Sequence, residues 1–315
     1  FPQEHMEFAY SNGSDALALT DHGNMNGLSY QVLHAKKMKA EGKDFKPIFG
    51  CEAYFLPSIE KWREEYDQAM LDKKKARAAK KAGASGATVE DEGASKGKSS
   101  SVLRRRRHLV LLAQNQTGLN NLFKLISESY QPENFYRYPR IDYALLKKYN
   151  EGIIAASACL GGVYAGNYWE NRAEGEEAVL GAMRETTENM VDIFGDRWYA
   201  EIQWNNIKEQ HELNQYVIQV AQELGVRLIT TADSHYPSPT AWKDRELYKR
   251  LGWLGKSKPS WADEESQLPA GVEEIGYELY PKNGDQIWDS YKKYSESVGF
   301  EYDDDTIMGS IEETH

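Results

Sequence analysis

The sequence has few cysteines and no long apolar run, and each absence excludes a class of protein. Only two cysteines occur among 315 residues, which excludes a disulfide-built scaffold and suits a reducing compartment, so we expect a cytoplasmic protein. No run of 18 apolar residues is present, so a membrane-spanning helix is excluded and we expect no membrane partner. Residues 1–5 lack the basic and apolar segments of a signal peptide.

The overall composition is that of a folded soluble protein, with 40% hydrophobic and 28% charged residues. The formal net charge of −11 by itself argues against a nucleic-acid partner. The charge is unevenly distributed, however. Residues 58–107 hold 14 lysines and arginines against 8 acidic residues, and the remainder holds 24 against 41. The chain is therefore an acidic body with one basic segment.

Six short apolar runs recur along the chain and predict β-strands. They lie at residues 16–20, 47–51, 108–113, 153–157, 198–203 and 227–231. The runs are continuous rather than alternating, which is typical of strands covered on both faces, as in parallel sheets. Amphipathic helical patterns lie between or after them, at residues 26–41, 117–130, 174–194 and 208–224. The alternation predicts an α/β fold built from βα units, and periodicity alone does not choose between a barrel and a doubly wound sheet.

Side chains that ligate metals stand close to the ends of these runs. They are His22, Glu52, His108, Cys159, Asp233 and His235. Imidazole, carboxylate and thiolate donors suit zinc, with manganese, iron and magnesium as alternatives, and six donors exceed one tetrahedral site. In βα barrels such groups gather at the carboxyl ends of the strands. His108 fits this placement less well, because it stands at a strand start. The competing interpretation is that each is an ordinary residue near a strand end.

Eight segments, in the same order along the chain, resemble the PHP (polymerase and histidinol phosphatase) domain of bacterial DNA polymerase III alpha subunits. They are DALALTDHGNM (15–25), KPIFGCEAY (46–54), HLVLLA (108–113), GLNNL (118–122), PRI (139–141), GIIA (152–155), ACLGG (158–162) and TADSHY (231–236). The resemblance extends from about residue 15 to 250, with a weaker match at 277–294. So many collinear motifs make the resemblance specific.

The resemblance implies a distorted seven-stranded (β/α)7 barrel that binds up to three divalent metal ions through the six donors named above. In the family a further His-x-His lies on a first strand, which is missing here, so we expect this chain to begin inside the first helix. Residues 1–250 would form the barrel, with 58–107 as a basic flexible insertion whose part 60–81 is helical. Residues 251–315 would begin the linker toward a polymerase core.

The function implied by the resemblance is metal-dependent phosphoester hydrolysis of the 3′–5′ exonuclease type within a DNA-directed DNA polymerase. With the first strand missing, we expect the activity and the metal affinity to be impaired in this chain. The implied partners are DNA through the full-length subunit, the rest of the polymerase chain and a proofreading exonuclease subunit. Two alternatives remain open. One is a non-catalytic platform that supports the polymerase core and docks the exonuclease, and the other is a free-standing PHP phosphatase.

The basic segment is a separate candidate site for nucleic acid. Its charged clusters are Lys73, Lys74, Lys75, Arg104, Arg105, Arg106 and Arg107, which could follow a phosphate backbone. No aromatic residues are interleaved with these clusters to stack on bases. The alternative is a solvated flexible loop without a ligand.

Overall fold

The computed structural model describes residues 1–81, 105–245, 247 and 278–314, and its centre is a curled sheet of six strands. In chain order the strands are β1 (Ala16–His22), β2 (Lys46–Phe55), β3 (Arg107–Ala113), β4 (Phe135–Tyr136), β5 (Tyr138–Pro139), β6 (Ile153–Ala156), β7 (Trp198–Gln203) and β8 (Arg227–Thr231). The main sheet has the order β1-β2-β3-β6-β7-β8, and β4 and β5 form a separate small hairpin. All six strands predicted from the apolar runs therefore exist. The count of seven strands and the missing first strand stay predictions.

The sheet is mixed, which corrects the expectation of parallel strands throughout. β1 pairs with β2 in parallel, and β6, β7 and β8 are parallel to one another. β3 runs antiparallel to both of its neighbours, β2 and β6. A continuous apolar run reports burial on both faces and carries no information about strand direction. As a result, the start of β3 lies at the same edge as the carboxyl ends of the other five strands.

Helices surround this sheet. They are α1 (Pro2–Ser11), α2 (Leu28–Ala40), α3 (Ile59–Lys81), α4 (Gln116–Ser129), α5 (Tyr143–Tyr149), α6 (Val163–Asn171), α7 (Glu176–Phe194), α8 (Lys208–Leu224), α9 (Gly284–Val298) and α10 (Asp304–Thr314). The patterns that predicted helices match α2, α4, α7 and α8 within about two residues. Within the described residues, no helix combines the length and the apolar content needed to cross a bilayer.

One large hydrophobic core fills the space between the sheet and these helices. Strand residues such as Leu111 and Ala200 are fully buried in it, and α4, α6, α7 and α8 contribute their apolar faces. α9 and α10 contribute to the same core through Ile287, Tyr291 and Ile307, among others. Residues 248–277 lie outside the described residues, and the domain division at residue 250 stays a prediction.

The insertion between β2 and β3 begins with the predicted helix, α3. Its first half is docked, because Ile59 and Trp62 are buried against Leu56. The fully buried Arg140 lies with its guanidinium 4.2 Å from the Trp62 ring and donates a hydrogen bond of 3.1 Å to the Arg105 carbonyl. Both ends of the insertion are thus held against the body by one arginine. The predicted flexible part, residues 82–104, lies outside the described residues.

A close backbone approach fixes α4 against the turn before β6. Gly118, in the first turn of α4, lies so near Gly152 that an added Cβ would be 1.7 Å from the Gly152 carbonyl oxygen. Gly152 has φ +69°, a conformation that favours glycine. By contrast, Gly181 in α7 has no atom within 4 Å of an added Cβ. The two helical glycines therefore respond differently to the same substitution.

We expect Gly118→Ala to lower the free energy of unfolding by about 2 kcal/mol or more, because backbone must move to admit the methyl group. Gly181→Ala is the matched control and should raise it by about 0.5–1 kcal/mol, because alanine is the better helix former. Denaturant unfolding of both variants measures the difference, provided that the unfolding free energy depends on denaturant concentration with the same slope as in the unsubstituted chain. A Gly118→Ala variant as stable as the parent would show that the approach is not close.

Candidate metal centre

Three neighbouring strands bring His22, Glu52 and His108 to one edge of the sheet. The register of β1 and β2 places His22 opposite Glu52, and the register of β2 and β3 places His108 opposite Tyr54. Glu52 and Tyr54 are two residues apart on one strand and therefore point to the same face. His108 reaches this edge because β3 is antiparallel, which resolves the poor fit of a strand-start histidine.

The carboxylate of Glu52 lies between the two imidazoles. Its Oε1 atom is 3.5 Å from His22 Nε2 and in close contact with His108 Nδ1. One ligand atom from each of the three residues lies within 4.8 Å of the others. Glu52 Oε1 is buried and accepts no hydrogen bond. It lies near two imidazole nitrogen atoms, but neither contact has the geometry of a hydrogen bond. A cation among these three groups would satisfy that oxygen, and the donor set matches a His₂Glu metal site.

Electrostatics keep Glu52 in the form that a metal requires. Burial by itself raises the pKa of this carboxyl, but the contact with His108 and the charges of His22 and His235 outweigh burial, so that the pKa lies below its ordinary value. Glu52 is only 5% exposed, so its negative charge needs nearby positive groups. The group is therefore an ionised oxygen donor at neutral pH.

Cys159 follows β6 and reaches the same cluster from the other side of β3. Its Sγ atom is 3.6 Å from His108 Nδ1 and accepts a hydrogen bond from the Gly161 amide at 3.4 Å. Burial, followed by the charges of Asp233 and Glu52, raises the pKa of the Cys159 thiol well above its usual range. The thiol would therefore become a thiolate ligand only if a cation compensated the charge.

Asp233 and His235 follow β8 and complete the cluster. The ring of His235 lies 5.9 Å from the ring of His22, and its Nδ1 atom is 3.7 Å from Asp233 Oδ1 and 2.7 Å from the Asp233 carbonyl oxygen. Burial raises the pKa of Asp233, opposed by the charge of His235. The amide of His235 donates to the Leu279 carbonyl at 2.8 Å, so the segment 278–283 fixes this turn.

The structure thus brings the side chains of all six predicted donors to one edge of the sheet, and their role as ligands stays a prediction. Asp21, which lies next to His22, has a structural role. Its carboxylate accepts a hydrogen bond of 2.6 Å from the Gly27 amide just before α2.

Tyr54, which no sequence pattern singles out, forms a wall of the site. Its ring stacks with the ring of His22 at 6.4 Å and lies 5.5 Å from the ring of His108. The guanidinium of Arg106 is 5.2 Å from the Tyr54 ring and 3.9 Å from the Tyr138 ring. The period of two along β2 could have placed Tyr54 beside Glu52, but nothing in the sequence pairs Arg106 with Tyr138.

The predicted nucleic-acid residues fall into two groups. Lys73, Lys74 and Lys75 are exposed on α3. The arginines are held by the body, since Arg105 pairs with Glu65 at 3.0 Å and Arg107 pairs with Glu170, and Arg106 lies against the tyrosines. Arg104 lies outside the described residues. The prediction of a nucleic-acid contact now depends mainly on the three lysines.

Comparison with known proteins places this geometry in context. The family model described as "PHP domain" matches residues 2–205. The chain is 38% identical over 236 residues to the DNA polymerase III subunit alpha of Aquifex aeolicus, covering 75% of this chain and 17% of that protein. It is 34% identical to the protein of the same name from Borreliella burgdorferi over 220 residues, covering 70% and 15%. The match to the Campylobacter jejuni protein is 28% over 289 residues, covering 91% and 20%. The chain therefore spans a fifth or less of the length of these relatives.

The segment that fixes the His235 turn depends on a partly buried carboxylate, Glu278. It accepts hydrogen bonds from Ser290 at 2.8 Å and Lys293 at 2.9 Å, and it pairs with the buried Lys282 at 3.0 Å. Burial opposes its ionisation, but these partners, Lys282 foremost, lower the pKa of Glu278 from 4.5 to about 2. Burial lowers the pKa of Lys282 in turn, so this ammonium needs its counter-charge.

We expect Glu278→Gln to cost about 2 kcal/mol of unfolding free energy at pH 7, because it leaves the Lys282 ammonium without its carboxylate. A depressed carboxyl pKa contributes stability that is present above pH 4.5 and is lost as the pH falls toward about 2. The difference between parent and variant should therefore shrink from pH 5 to pH 3, as measured by denaturant unfolding. Asp192→Asn, in an exposed pair with Lys147, is the control and should cost less than about 0.5 kcal/mol. A pH-independent difference would contradict the assignment.

Proposed function

The chain belongs to the PHP domain family, and from that premise we propose that it is the metal-binding PHP domain of a replicative DNA polymerase alpha subunit. We propose that its site hydrolyses phosphoester bonds, as a 3′–5′ exonuclease-type centre. The observation that carries this proposal is the buried Glu52 Oε1 atom, which faces His22 and His108 and accepts no hydrogen bond.

The side chains at this edge fit divalent metal ions. His22, Glu52 and His108 would hold one ion, and Cys159, Asp233 and His235 would extend the site to further ions. The mixture of imidazole, carboxylate and thiolate favours zinc, with manganese, iron or magnesium as alternatives. When bound, such ions act as Lewis acids on phosphoryl oxygens and lower the pKa of water.

The residues around the donors support an anionic substrate. Arg106 places a fixed positive charge beside Tyr54, and Tyr54 in turn adjoins His22 and His108. A cation at the rim of a site raises the local concentration of phosphate-bearing molecules. This charge favours an anionic phosphoester over a small apolar ester.

The polymerase context is a proposal drawn from the relatives. They are named DNA polymerase III subunit alpha, so we propose a role in DNA replication in the cytoplasm. DNA-directed DNA polymerase activity would then reside in the remainder of the full-length subunit. A proofreading exonuclease subunit is the proposed further partner.

We expect this chain, stripped of metal and reloaded with zinc or manganese, to release nucleotides from the 3′ end of an oligonucleotide. Glu52→Gln keeps the shape but removes the charge, and it should lower metal affinity by at least about 100-fold and abolish release. Metal content by elemental analysis, affinity by chelator competition and product by gel electrophoresis measure these effects. Glu65→Gln, in the exposed pair with Arg105, is the matched control. It should change neither the metal affinity nor the release of nucleotides.

The outcomes separate the candidate functions. If Glu52→Gln loses metal binding but the unsubstituted chain shows no hydrolysis, the non-catalytic platform is favoured. Hydrolysis of small phosphate monoesters in preference to oligonucleotides would favour the free-standing phosphatase. A parent chain that retains no metal after loading would refute the proposed site.

The exposed lysines of α3 are a second candidate function, a contact to the nucleic-acid backbone. We expect replacement of Lys73, Lys74 and Lys75 by glutamine to weaken duplex DNA binding. The slope of the logarithm of the binding constant against the logarithm of the salt concentration should become less steep by about 0.9 for each phosphate that is no longer neutralised. The matched control replaces Lys36, Lys37 and Lys39, three exposed lysines of α2, with the same change in net charge. Binding titrations over a range of salt concentrations measure the slopes. Equal slopes for both variants would leave α3 as a solvated helix.

A further inference from the structure

Glu201 is a buried carboxylic acid that the candidate metal site does not use. It lies on β7, between the ends of β6 and β8, and is 7% exposed. Burial raises the pKa of Glu201 to about 7, against the hydrogen bonds that favour its ionised form. A buried acid of this kind is unfavourable in a strand unless its contacts offset the cost of desolvation.

The contacts of Glu201 connect two neighbouring turns. Its Oε2 atom accepts a hydrogen bond of 3.2 Å from the Ala158 amide, and its own amide donates to Ser157 Oγ at 2.9 Å. Its Oε1 atom accepts from the Thr231 hydroxyl at the end of β8 and from Gln203 Nε2 at 3.0 Å. One side chain thus connects the turn after β6 to the last residue of β8, from which the next turn begins.

Both turns have unfavourable backbone conformations and lead to predicted metal donors. Ala158, directly before Cys159, has φ +62°, and Asp233 has φ +47°. Residues with a Cβ atom rarely adopt positive φ, and such conformations persist where surrounding contacts hold them. Among the described residues, the other non-glycine residue with positive φ is Arg137. Glu201 therefore bonds directly to one strained position, Ala158, and to Thr231, which lies two residues before the other, Asp233.

We propose that Glu201 is a positioning residue that holds these two turns together and so sets the placement of Cys159 and Asp233. This inference rests on the proposed function for its consequence, because it assigns how the thiolate and carboxylate donors are presented to a metal. Glu201 is not itself a donor in this arrangement, since its two oxygens already accept three hydrogen bonds. Groups that orient metal ligands from behind typically change metal affinity by about 10–100-fold when they are removed.

The first test needs no metal. Glu201→Leu keeps most of the side-chain volume but removes both acceptor oxygens, so that the Ala158 amide and the Thr231 hydroxyl both lose their partner. We expect amide hydrogen exchange of residues 157–162 and 231–236 to become about tenfold faster or more in the metal-free chain. Thr231→Val removes the link to β8 alone and should affect residues 231–236 alone. Thr231→Val also tests the proposal if Glu201→Leu does not fold.

The matched control is Thr187→Val, which removes a buried hydroxyl that is hydrogen-bonded to Tyr164 at 2.7 Å, away from the site. It should lower thermal stability without faster exchange in the two turns. If Glu201→Leu and Thr231→Val leave both segments exchanging as in the unsubstituted chain, the proposal is overturned. Equal acceleration by Thr187→Val would also overturn it, because a general loss of stability would then explain the effect.

The second test uses cobalt(II) as the metal probe. The thiolate-to-cobalt charge-transfer band reports Cys159 directly, and we expect it to weaken in Glu201→Leu together with a loss of cobalt affinity of about 10–100-fold. An unchanged band and affinity would overturn the role in metal presentation. A parent chain that binds no cobalt would refute the proposed function, and the metal-free exchange experiment would still decide whether Glu201 holds the turns.

Discussion

The buried negative charge of Glu52 is the constraint on which the arrangement of the site depends. An ionised carboxylate that is 5% exposed is strongly unfavourable unless positive or hydrogen-bonding groups surround it. His22 and His108 supply nitrogen atoms on either side, and His235 adds its charge from the turn after β8. Each of these residues comes from a different strand or turn, so that the whole sheet must be folded before the charge is compensated.

The direction of β3 makes this compensation possible. In a parallel strand, a residue at the first or second position would lie at the opposite edge of the sheet from Glu52. Because β3 is antiparallel, its second residue, His108, lies beside Glu52, and the neighbouring β6 ends where Cys159 can contact His108. The long insertion is connected to this reversal, since it leaves β2 and returns to the sheet at the same edge. Arg140, buried against Trp62, holds the returning chain in place.

The sequence predicted the strands and the polar residues at their ends well, because both signals are local. Burial of a strand is visible as a short apolar run, and the donor after it is visible as the first ligating side chain. Strand direction and partner choice are not local, so β3 was expected to be parallel and Tyr54 was overlooked. The short helix α6 also escaped notice, since its glycine and asparagine hide the apolar face that the core buries. The sequence favours a phosphate contact for Arg105, Arg106 and Arg107 because the tyrosines and glutamates that contact them lie in distant segments.

The same distinction explains why the sequence alone does not show what Glu201 does. A glutamate within an apolar strand is a single polar interruption of the pattern, and its meaning depends on hydrogen-bond partners at residues 157, 158, 203 and 231. Those partners converge because β6, β7 and β8 are parallel and adjacent, so the turns that follow β6 and β8 flank the end of β7. In the proposed metal centre the side chains at the edge of the sheet would bind the metal, and Glu201 on β7 would hold the turns that carry Cys159 and Asp233. Such support is needed because each strained turn alone would relax toward an unstrained backbone.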